Sequence, residues 1–199
     1  MNTKTYLALG DSYTIGEQVA LPESFPYQFV QLLRGQSYDI AYAAPEIVAK
    51  TGWTSGELLD AMEHYQFLPD YDIVTLLIGV NNQYRNLDIH SFTPELQQLL
   101  RFANSRVSSP ACVFVLSIPD WGMTPFAAGR DQAIISAAID NYNAICRQVT
   151  EEQEANFIEI TSAYRRDVED ASFLAADKLH PSGNEYAKWA GQLFDAYGS

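Results

Sequence analysis

The sequence is poor in cysteine, in histidine and in basic residues. Its two cysteines, Cys112 and Cys146, lie in apolar stretches, as reduced packing cysteines do, and they indicate no disulfide framework. The three histidines form no HExxH or similar pattern, so no metal site is predicted. Lysine and arginine total 12 against 25 acidic residues, and the net charge of −13 would repel nucleic acid and anionic membranes. Neither is therefore expected as a partner.

Long apolar runs are absent as well. Nowhere do about 18 consecutive apolar residues occur, so no integral membrane segment is predicted. Residues 1–5 lack the apolar core of a signal peptide, which predicts a cytoplasmic protein, or a secreted one if such a peptide has been removed. With 47% hydrophobic and 19% charged residues and no repeat or linker, residues 1–199 are expected to form a single globular domain.

What is present is an alternation of strand-length apolar stretches with helical patterns. Strands are predicted at residues 6–9, 38–42, 72–78, 112–116 and 156–160. Helices are predicted at 24–34 before a stop at Gly35, from the capping box Thr54-x-x-Glu57, from Thr93-Pro94, over 134–149, and from a second box, Ser182-x-x-Glu185. The helical spacing places Tyr65 and Ile134 on buried faces.

This alternation predicts an α/β fold, an open parallel sheet of five strands with helices on both faces. In the strand order 2-1-3-4-5, ligands bind between strands 1 and 3, outside their carboxyl ends. Ser12 follows strand 1, Gly52 follows strand 2, and the stretch 79–82, Gly-Val-Asn-Asn, follows strand 3. We therefore expect these three stretches to meet at one edge of the sheet.

Asp177 and His180, just before the last helix, complete the groups that serine acyl transfer needs. One ring nitrogen of His180 can accept the Ser12 proton while Asp177 accepts a hydrogen bond from the other, and nearby donors can stabilise an oxyanion. Taken singly, each of these residues is also common in turns and helix caps. Because they are predicted to lie together at one edge of the sheet, a catalytic site is favoured.

Four blocks of the chain resemble those of the SGNH hydrolases, the GDSL-type esterase and lipase family. They are residues 10–13 (Gly-Asp-Ser-Tyr), Gly52, residues 79–82 and residues 177–180 (Asp-Lys-Leu-His), in the family's order. The resemblance implies a three-layer α/β/α sandwich of flavodoxin-like topology around a five-stranded parallel sheet. It also implies an esterase that needs no metal or organic cofactor.

The resemblance assigns roles to single residues. Ser12 would be the nucleophile, His180 the general base and then acid, and Asp177 the residue that orients it. The oxyanion hole would consist of the backbone N–H groups of Ser12 and Gly52 and the side-chain amide of Asn81.

Two positions differ from the residues that the family usually has in these blocks. Tyr13 stands where the family usually has Leu, and Asn82 where it usually has Asp; neither position has a catalytic role in the family. Asp11 is interpreted as a structural acid that bonds the loop backbone.

Loop aromatics are the candidates for substrate contact, although such residues also pack small satellite cores. They are Tyr13, Trp53, Tyr84, Trp121 and Phe126. Since the sequence shows no lid and no amphipathic surface helix, we expect a small ester with a short acyl group, such as acetyl on a carbohydrate or small alcohol. Lysophospholipid and thioester substrates, which the family includes, remain alternatives. No role is assigned to Arg85 or Arg130, and no oligomeric state is predicted.

A non-catalytic phosphate or flavin binder is the alternative from another class. In a flavodoxin-like sheet, the hydroxyl-rich stretch 12–14 could hold a phosphate. Asp11 and Glu17 would repel that phosphate, and the catalytic candidates beyond strand 1 would have no use. An α/β-hydrolase is less compatible, because no Gly-x-Ser-x-Gly occurs.

Overall fold

The computed structural model describes residues 3–36 and 39–198. The strands are β1 (Thr3–Lys4), β2 (Tyr6–Gly10), β3 (Ala41–Tyr42), β4 (Glu46–Ala49), β5 (Ile73–Leu77), β6 (Val113–Leu116) and β7 (Asn156–Ile158). The α-helices are α1 (Ser12–Ile15), α2 (Phe25–Gln36), α3 (Ser55–Glu63), α4 (Val80–Tyr84), α5 (Ile89–Ser105), α6 (Gln132–Glu152), α7 (Thr161–Asp167) and α8 (Gly183–Tyr197).

The main sheet has five parallel strands in the order β4-β2-β5-β6-β7. Counted along the chain, this is the predicted order 2-1-3-4-5, so the predicted fold class is confirmed. Helices α2 and α8 pack against each other on one face, whereas α3, α5 and α6 pack in a row on the other. The sheet is thus the middle of three layers.

The two central strands are buried along their whole length because both faces of the sheet are covered. Every residue of β2 and of β5 is buried. This explains why their sequences are continuous apolar runs rather than alternating ones. The polar atoms they contain are paired, since the hydroxyls of Tyr6 and Thr75 lie 2.7 Å apart across the two strands.

The edge strand differs from the prediction. Residues 38–42 were expected to form it, but β4 (Glu46–Ala49) pairs with β2, from Leu7 opposite Glu46 to Gly10 opposite Ala49. Ala41 and Tyr42 form only a short parallel pair with β1, and Tyr38 lies outside the described residues. In β4 only Val48 is fully buried, so this half-exposed edge strand has a weak apolar signal.

Helix α5 begins earlier than predicted. Thr93 is not its N-cap; Asp88 is, and the Asp88 carboxylate accepts a hydrogen bond from the backbone N–H of His90 (3.0 Å). Pro94 therefore lies inside the helix. Its missing N–H leaves unbonded the carbonyl four residues earlier, which belongs to the exposed His90, so the helix tolerates the proline near its start.

One of the two predicted capping boxes forms. The Thr54 hydroxyl accepts from the Glu57 N–H (3.2 Å), and the Glu57 carboxylate accepts from the Thr54 N–H (2.9 Å). Ser182 is the N-cap of α8, but its hydroxyl donates to a carbonyl outside the helix. Glu185 is buried and accepts instead from the Trp189 indole (2.7 Å), so the second box is wrong.

Some details at helix ends also differ. Helix α2 continues through Gly35 to Gln36, Tyr65 lies beyond the end of α3 and is 41% exposed, and Ile134 is 67% exposed in the first turn of α6. The short helix α7 was not predicted.

Within the described part of the chain, both cysteines are free thiols, and no helix is both long and apolar enough to cross a bilayer.

Candidate active site

A cavity of about 200 Å³ opens at the carboxyl ends of the central strands. Four of the residues with predicted catalytic or oxyanion roles line it: Ser12 after β2, Gly52 after β4, Asn81 after β5 and His180 before α8. The other lining residues are Tyr13, Thr51, Val80, Tyr84, Trp121, Phe126 and Leu179. Thr51, Val80 and Leu179 were not predicted, although each is adjacent in sequence to a predicted residue.

Ser12 reaches the cavity because helix α1 begins almost directly where β2 ends. Asp11 is the only residue between Gly10 and Ser12, and its Oδ1 accepts a hydrogen bond from the backbone N–H of Tyr13 (3.0 Å). The Asp11 side chain is fully buried, and Oδ2 has no hydrogen-bond partner. Burial raises the pKa of Asp11 to about 7. Asp11 therefore caps the turn that presents Ser12.

Asp177 and His180 form a closely bonded pair. Nδ1 of His180 lies 2.6 Å from Oδ2 of Asp177. Oδ1 of Asp177 accepts from the backbone N–H groups of Leu179 and His180, both at 3.0 Å. Partial burial opposes ionisation of Asp177, but the hydrogen bonds from His180 and from these N–H groups outweigh it and lower its pKa. The ionised carboxylate can thus keep a proton on Nδ1 and leave Nε2 free to accept one.

The His180 ring is held by aromatic packing. Its centroid lies 5.5 Å from that of Tyr13, which is buried and also contacts Trp189 of α8 at 6.2 Å. Tyr13 therefore supports the histidine as well as lining the cavity.

Gly52 lies in a loop with a left-handed backbone. Its φ of +85° is accessible to glycine without strain. Its carbonyl accepts a hydrogen bond from the guanidinium of Arg85, which also pairs with Glu57 of α3 (3.2 Å). Arg85 thus fixes the orientation of the loop beside Ser12.

The side chain of Asn81 is held by the backbone of the loop after β4. Its Nδ2 donates to the carbonyl of Trp53 (3.0 Å), which occupies one of its two amide N–H groups and leaves the other for the cavity. The preceding Gly79 has φ +122°, and an added Cβ there would lie 2.8 Å from Ile118 and 2.9 Å from Phe92. Only glycine fits at this turn from β5 into α4.

Asn82 is buried and joins the two loops that flank the cavity. Its Oδ1 accepts from the N–H of Ser55 (3.0 Å), and its Nδ2 donates to the Ser55 hydroxyl (2.7 Å). That hydroxyl in turn donates to Glu95 of α5. An aspartate could not donate to Ser55, so the amide found in this chain suits its neighbours.

Four of the five predicted aromatic residues line the cavity. Tyr84 and Phe126 form its outer part, with 42% and 39% of their surfaces exposed, while Trp121 is buried and donates from its indole N–H to Gln83 (2.7 Å). Trp53 packs half-buried against the core and faces the site through its carbonyl. No group of three or more His, Cys, Asp or Glu side chains in residues 3–36 and 39–198 is arranged to hold a metal ion.

Comparison with known proteins identifies a family and a fold. A family model described as GDSL-like lipase/acylhydrolase matches residues 8–188. An acetylxylan esterase from Geobacillus stearothermophilus is 26% identical over 120 residues, a match that covers 56% of this chain. The match covers 52% of that enzyme, so the chain spans about half the length of this curated relative.

Solved structures show the same fold. The crystal structure of Axe2, an acetylxylan esterase from Geobacillus stearothermophilus, has a TM-score of 0.73 at 20% identity, covering 98% of this chain and 94% of that one. The lipase/acylhydrolase from Enterococcus faecalis has a TM-score of 0.72 at 18% identity, covering 98% and 96%. At these identities the likeness shows the fold alone.

Proposed function

The chain belongs to the GDSL-like lipase/acylhydrolase family, and we propose that it is a serine esterase that cleaves small esters through an acyl-enzyme on Ser12. One observation carries the proposal: a nucleophile, two further candidate oxyanion donors and a histidine bonded to a carboxylate line or adjoin one cavity. The nucleophile is Ser12, the two further donors belong to Gly52 and Asn81, and His180 is bonded to Asp177.

In the first step, Oγ of Ser12 attacks the ester carbonyl while Nε2 of His180 takes the hydroxyl proton. Asp177 stabilises the imidazolium that forms, because its Oδ2 accepts from Nδ1 at 2.6 Å. The negative charge moves to the carbonyl oxygen, where three N–H donors would meet it: the backbone N–H groups of Ser12 and Gly52 and the free amide N–H of Asn81.

In the second step, His180 returns the proton to the leaving alcohol and the acyl group stays on Ser12. Water then attacks the acyl-enzyme, His180 accepts its proton, and the acid departs as Oγ of Ser12 regains a hydrogen. Every proton in this sequence moves through a side chain present in the cavity.

The size of the cavity favours a substrate with a short acyl group. Its volume of about 200 Å³ is below the roughly 300–1,000 Å³ typical of pockets for drug-sized ligands. Tyr84 and Phe126 are partly exposed at the outer part of the cavity, where a sugar could pack against them, and acetylxylan esterases are among the relatives. We therefore propose acetyl esters of a carbohydrate or a small alcohol as substrates, in preference to lysophospholipids or long-chain thioesters.

A panel of p-nitrophenyl esters graded by acyl length, measured on the wild type and on Ser12→Ala, tests the proposal. We expect the wild type to be fastest on acetate and to slow as the chain lengthens, and Ser12→Ala to lose turnover while its thermal unfolding is unchanged. A fluorophosphonate probe should label the wild type and not the variant. Turnover retained in Ser12→Ala, or a yellow protein that the probe does not label, would contradict the proposal.

A further inference from the structure

Arg130 does not line the cavity itself but lies against three aromatic rings that do. Its guanidinium carbon is 5.0 Å from the ring centre of Trp121, 5.2 Å from that of Tyr84 and 5.5 Å from that of Phe126. All three rings line the cavity that contains Ser12. Tyr84 and Phe126 are its partly exposed outer walls and Arg130 is itself exposed, so a substrate that extends out of the cavity past these two rings would come close to the cation.

Several basic residues of this acidic chain form ion pairs. Arg85 pairs with Glu57, Arg165 with Asp120 and Asp140, and Lys188 with Asp167. Over the described ranges, 3–36 and 39–198, no carboxylate lies within 4 Å of the Arg130 guanidinium.

The neighbouring acid, Asp131, caps the start of α6. Its Oδ1 accepts from the backbone N–H of Ile134 (3.1 Å) at the start of α6. The positive charge of Arg130 at the cavity edge is therefore compensated by ring faces and not by an anion.

The aromatic contacts leave most of the guanidinium donors free. Contact with ring faces orients an arginine without using its N–H groups, and one of these, on the second terminal nitrogen, donates to the Tyr84 hydroxyl (3.2 Å). An arginine held in this way can present a planar pair of N–H groups to a carboxylate, the partner whose geometry it matches.

The position of Phe126 indicates which part of a substrate would meet Arg130. The backbone N–H of Phe126 donates to the carbonyl of Lys178 (3.3 Å), so this segment is joined to the loop that carries Asp177 and His180. His180 protonates the leaving alcohol in the proposed reaction, and the alcohol portion of the ester must therefore extend along the His180 side of the cavity.

We infer that Arg130 and the three rings that orient it form an anion subsite for a carboxylate on the alcohol portion of the substrate. The substrate class is an acyl ester of a hydroxy acid, including an acetylated acidic sugar. This inference rests on the proposed esterase function and makes it more specific. In a molecule with a net charge of −13, an anionic ester needs such a local cation to bind at the cavity.

The test compares two substrates of nearly equal shape, 4-acetoxybenzoate and 4-acetoxybenzamide, which differ in the charge of the leaving phenol. In Arg130→Gln we expect kcat/KM for the benzoate to fall about tenfold or more, the effect of losing a charge-assisted hydrogen bond, and that for the benzamide to change less than about twofold. Arg130→Lys keeps the charge without the planar fork, so its kcat/KM for the benzoate should lie between those of the wild type and Arg130→Gln. Added salt should reduce the benzoate preference of the wild type.

Arg101→Gln on the exposed part of α5 is the matched control, because it changes the net charge equally but belongs to a helix that carries none of the three rings. Its benzoate-to-benzamide ratio should equal that of the wild type. If kcat/KM fell equally for both substrates in Arg130→Gln, the inference would be overturned. The role of Arg130 would then be to pack against the rings.

A second readout does not depend on turnover. Saturation-transfer NMR with the product 4-hydroxybenzoate should show binding to the wild type and not to Arg130→Gln, with 4-hydroxybenzamide as the neutral reference. Absence of ester turnover in the wild type would count against the esterase function, whereas equal 4-hydroxybenzoate binding in both proteins would count against the anion subsite.

Discussion

Single side chains at the cavity serve two neighbours at once, and Asn81 shows this most directly. One N–H of its amide bonds the carbonyl of Trp53 (3.0 Å), and the proposed oxyanion would take the other. Tyr13 likewise lines the cavity and packs between His180 and Trp189. Substitutions at such residues therefore separate catalysis from packing only when stability is measured alongside rate.

Asn81→Ala should lower kcat by about a hundredfold or more, the usual cost of removing an oxyanion donor. The value of KM should change much less, because the donor acts mainly on the charge that develops in the transition state. Steady-state kinetics on p-nitrophenyl acetate with parallel thermal unfolding measures both. Asn141→Ala, on the exposed side of α6, is the control and should behave as the wild type. A loss in Asn81→Ala that is confined to KM would be inconsistent with an oxyanion role.

At the scale of elements, the site depends on contacts between loops and helices that are distant in sequence. The loop after β4 is held through Gly52 by Arg85, just after α4, and Arg85 is held by Glu57 of α3. On the other side, α8 supports His180 through Trp189 and Tyr13, and the Trp189 indole is bonded to Glu185.

Arg85→Met should lower kcat about tenfold with a smaller effect on KM, because the Gly52 loop loses the bond that orients its donor. Arg147→Met is the control, since Arg147 forms an exposed ion pair with Glu151 (4.0 Å) far from the loop. Kinetics on the acetate ester would measure the effect. If both variants matched the wild type, Arg85 would have no part in positioning Gly52.

Glu185 makes stability depend on pH. It is fully buried, and Oε2 has no hydrogen-bond partner, so burial, aided by nearby Asp167, raises its pKa from 4.5 to about 7. Between these values the folded protein holds a proton that the unfolded chain has lost. The contribution of Glu185 to stability is therefore complete below about pH 4.5 and declines as the pH rises through 7.

Glu185→Gln should remove this dependence, because glutamine does not titrate and can still accept from the Trp189 indole. Urea unfolding from pH 4.5 to 8 should show the wild type losing free energy of unfolding relative to the variant as pH rises. Glu169→Gln, at an exposed position, should follow the wild-type curve. A difference between wild type and Glu185→Gln that stays constant with pH would refute the assignment.

For the whole molecule, the sheet that carries the site is also the centre of its stability. Leu76 of β5 is fully buried, and β5 pairs with both β2 and β6. Leu76→Ala should reduce the free energy of unfolding by about 2–5 kcal/mol, through lost burial and the cavity left behind. Leu68→Ala, at a position 43% exposed, should cost less than about 1 kcal/mol. Chemical denaturation measures both, and equal losses would show that Leu76 does not pack as described.

The sequence by itself determined the fold class and the meeting of Ser12, Gly52, Asn81 and His180 at one edge of the sheet. The physical reason is that apolar periodicity along the chain indicates which stretches are strands. The rules for parallel sheets then place the residues that follow each strand on the same side. The capping box at Thr54 could be predicted because all its bonds lie within four residues.

Only the tertiary structure decided which stretch forms the edge strand, that Ser182 and Glu185 do not form a capping box, and that Trp53 turns its carbonyl toward Asn81. It also decided that Arg130 lies on three rings from two separate stretches of chain. The edge strand, the bond between Trp53 and Asn81 and the contact of Arg130 with Tyr84 depend on residues far apart in sequence. For Glu185, burial and the indole of Trp189 outweigh the local preference for a capping box. Residue types along the chain therefore indicate the chemistry available, and packing selects which groups share the cavity.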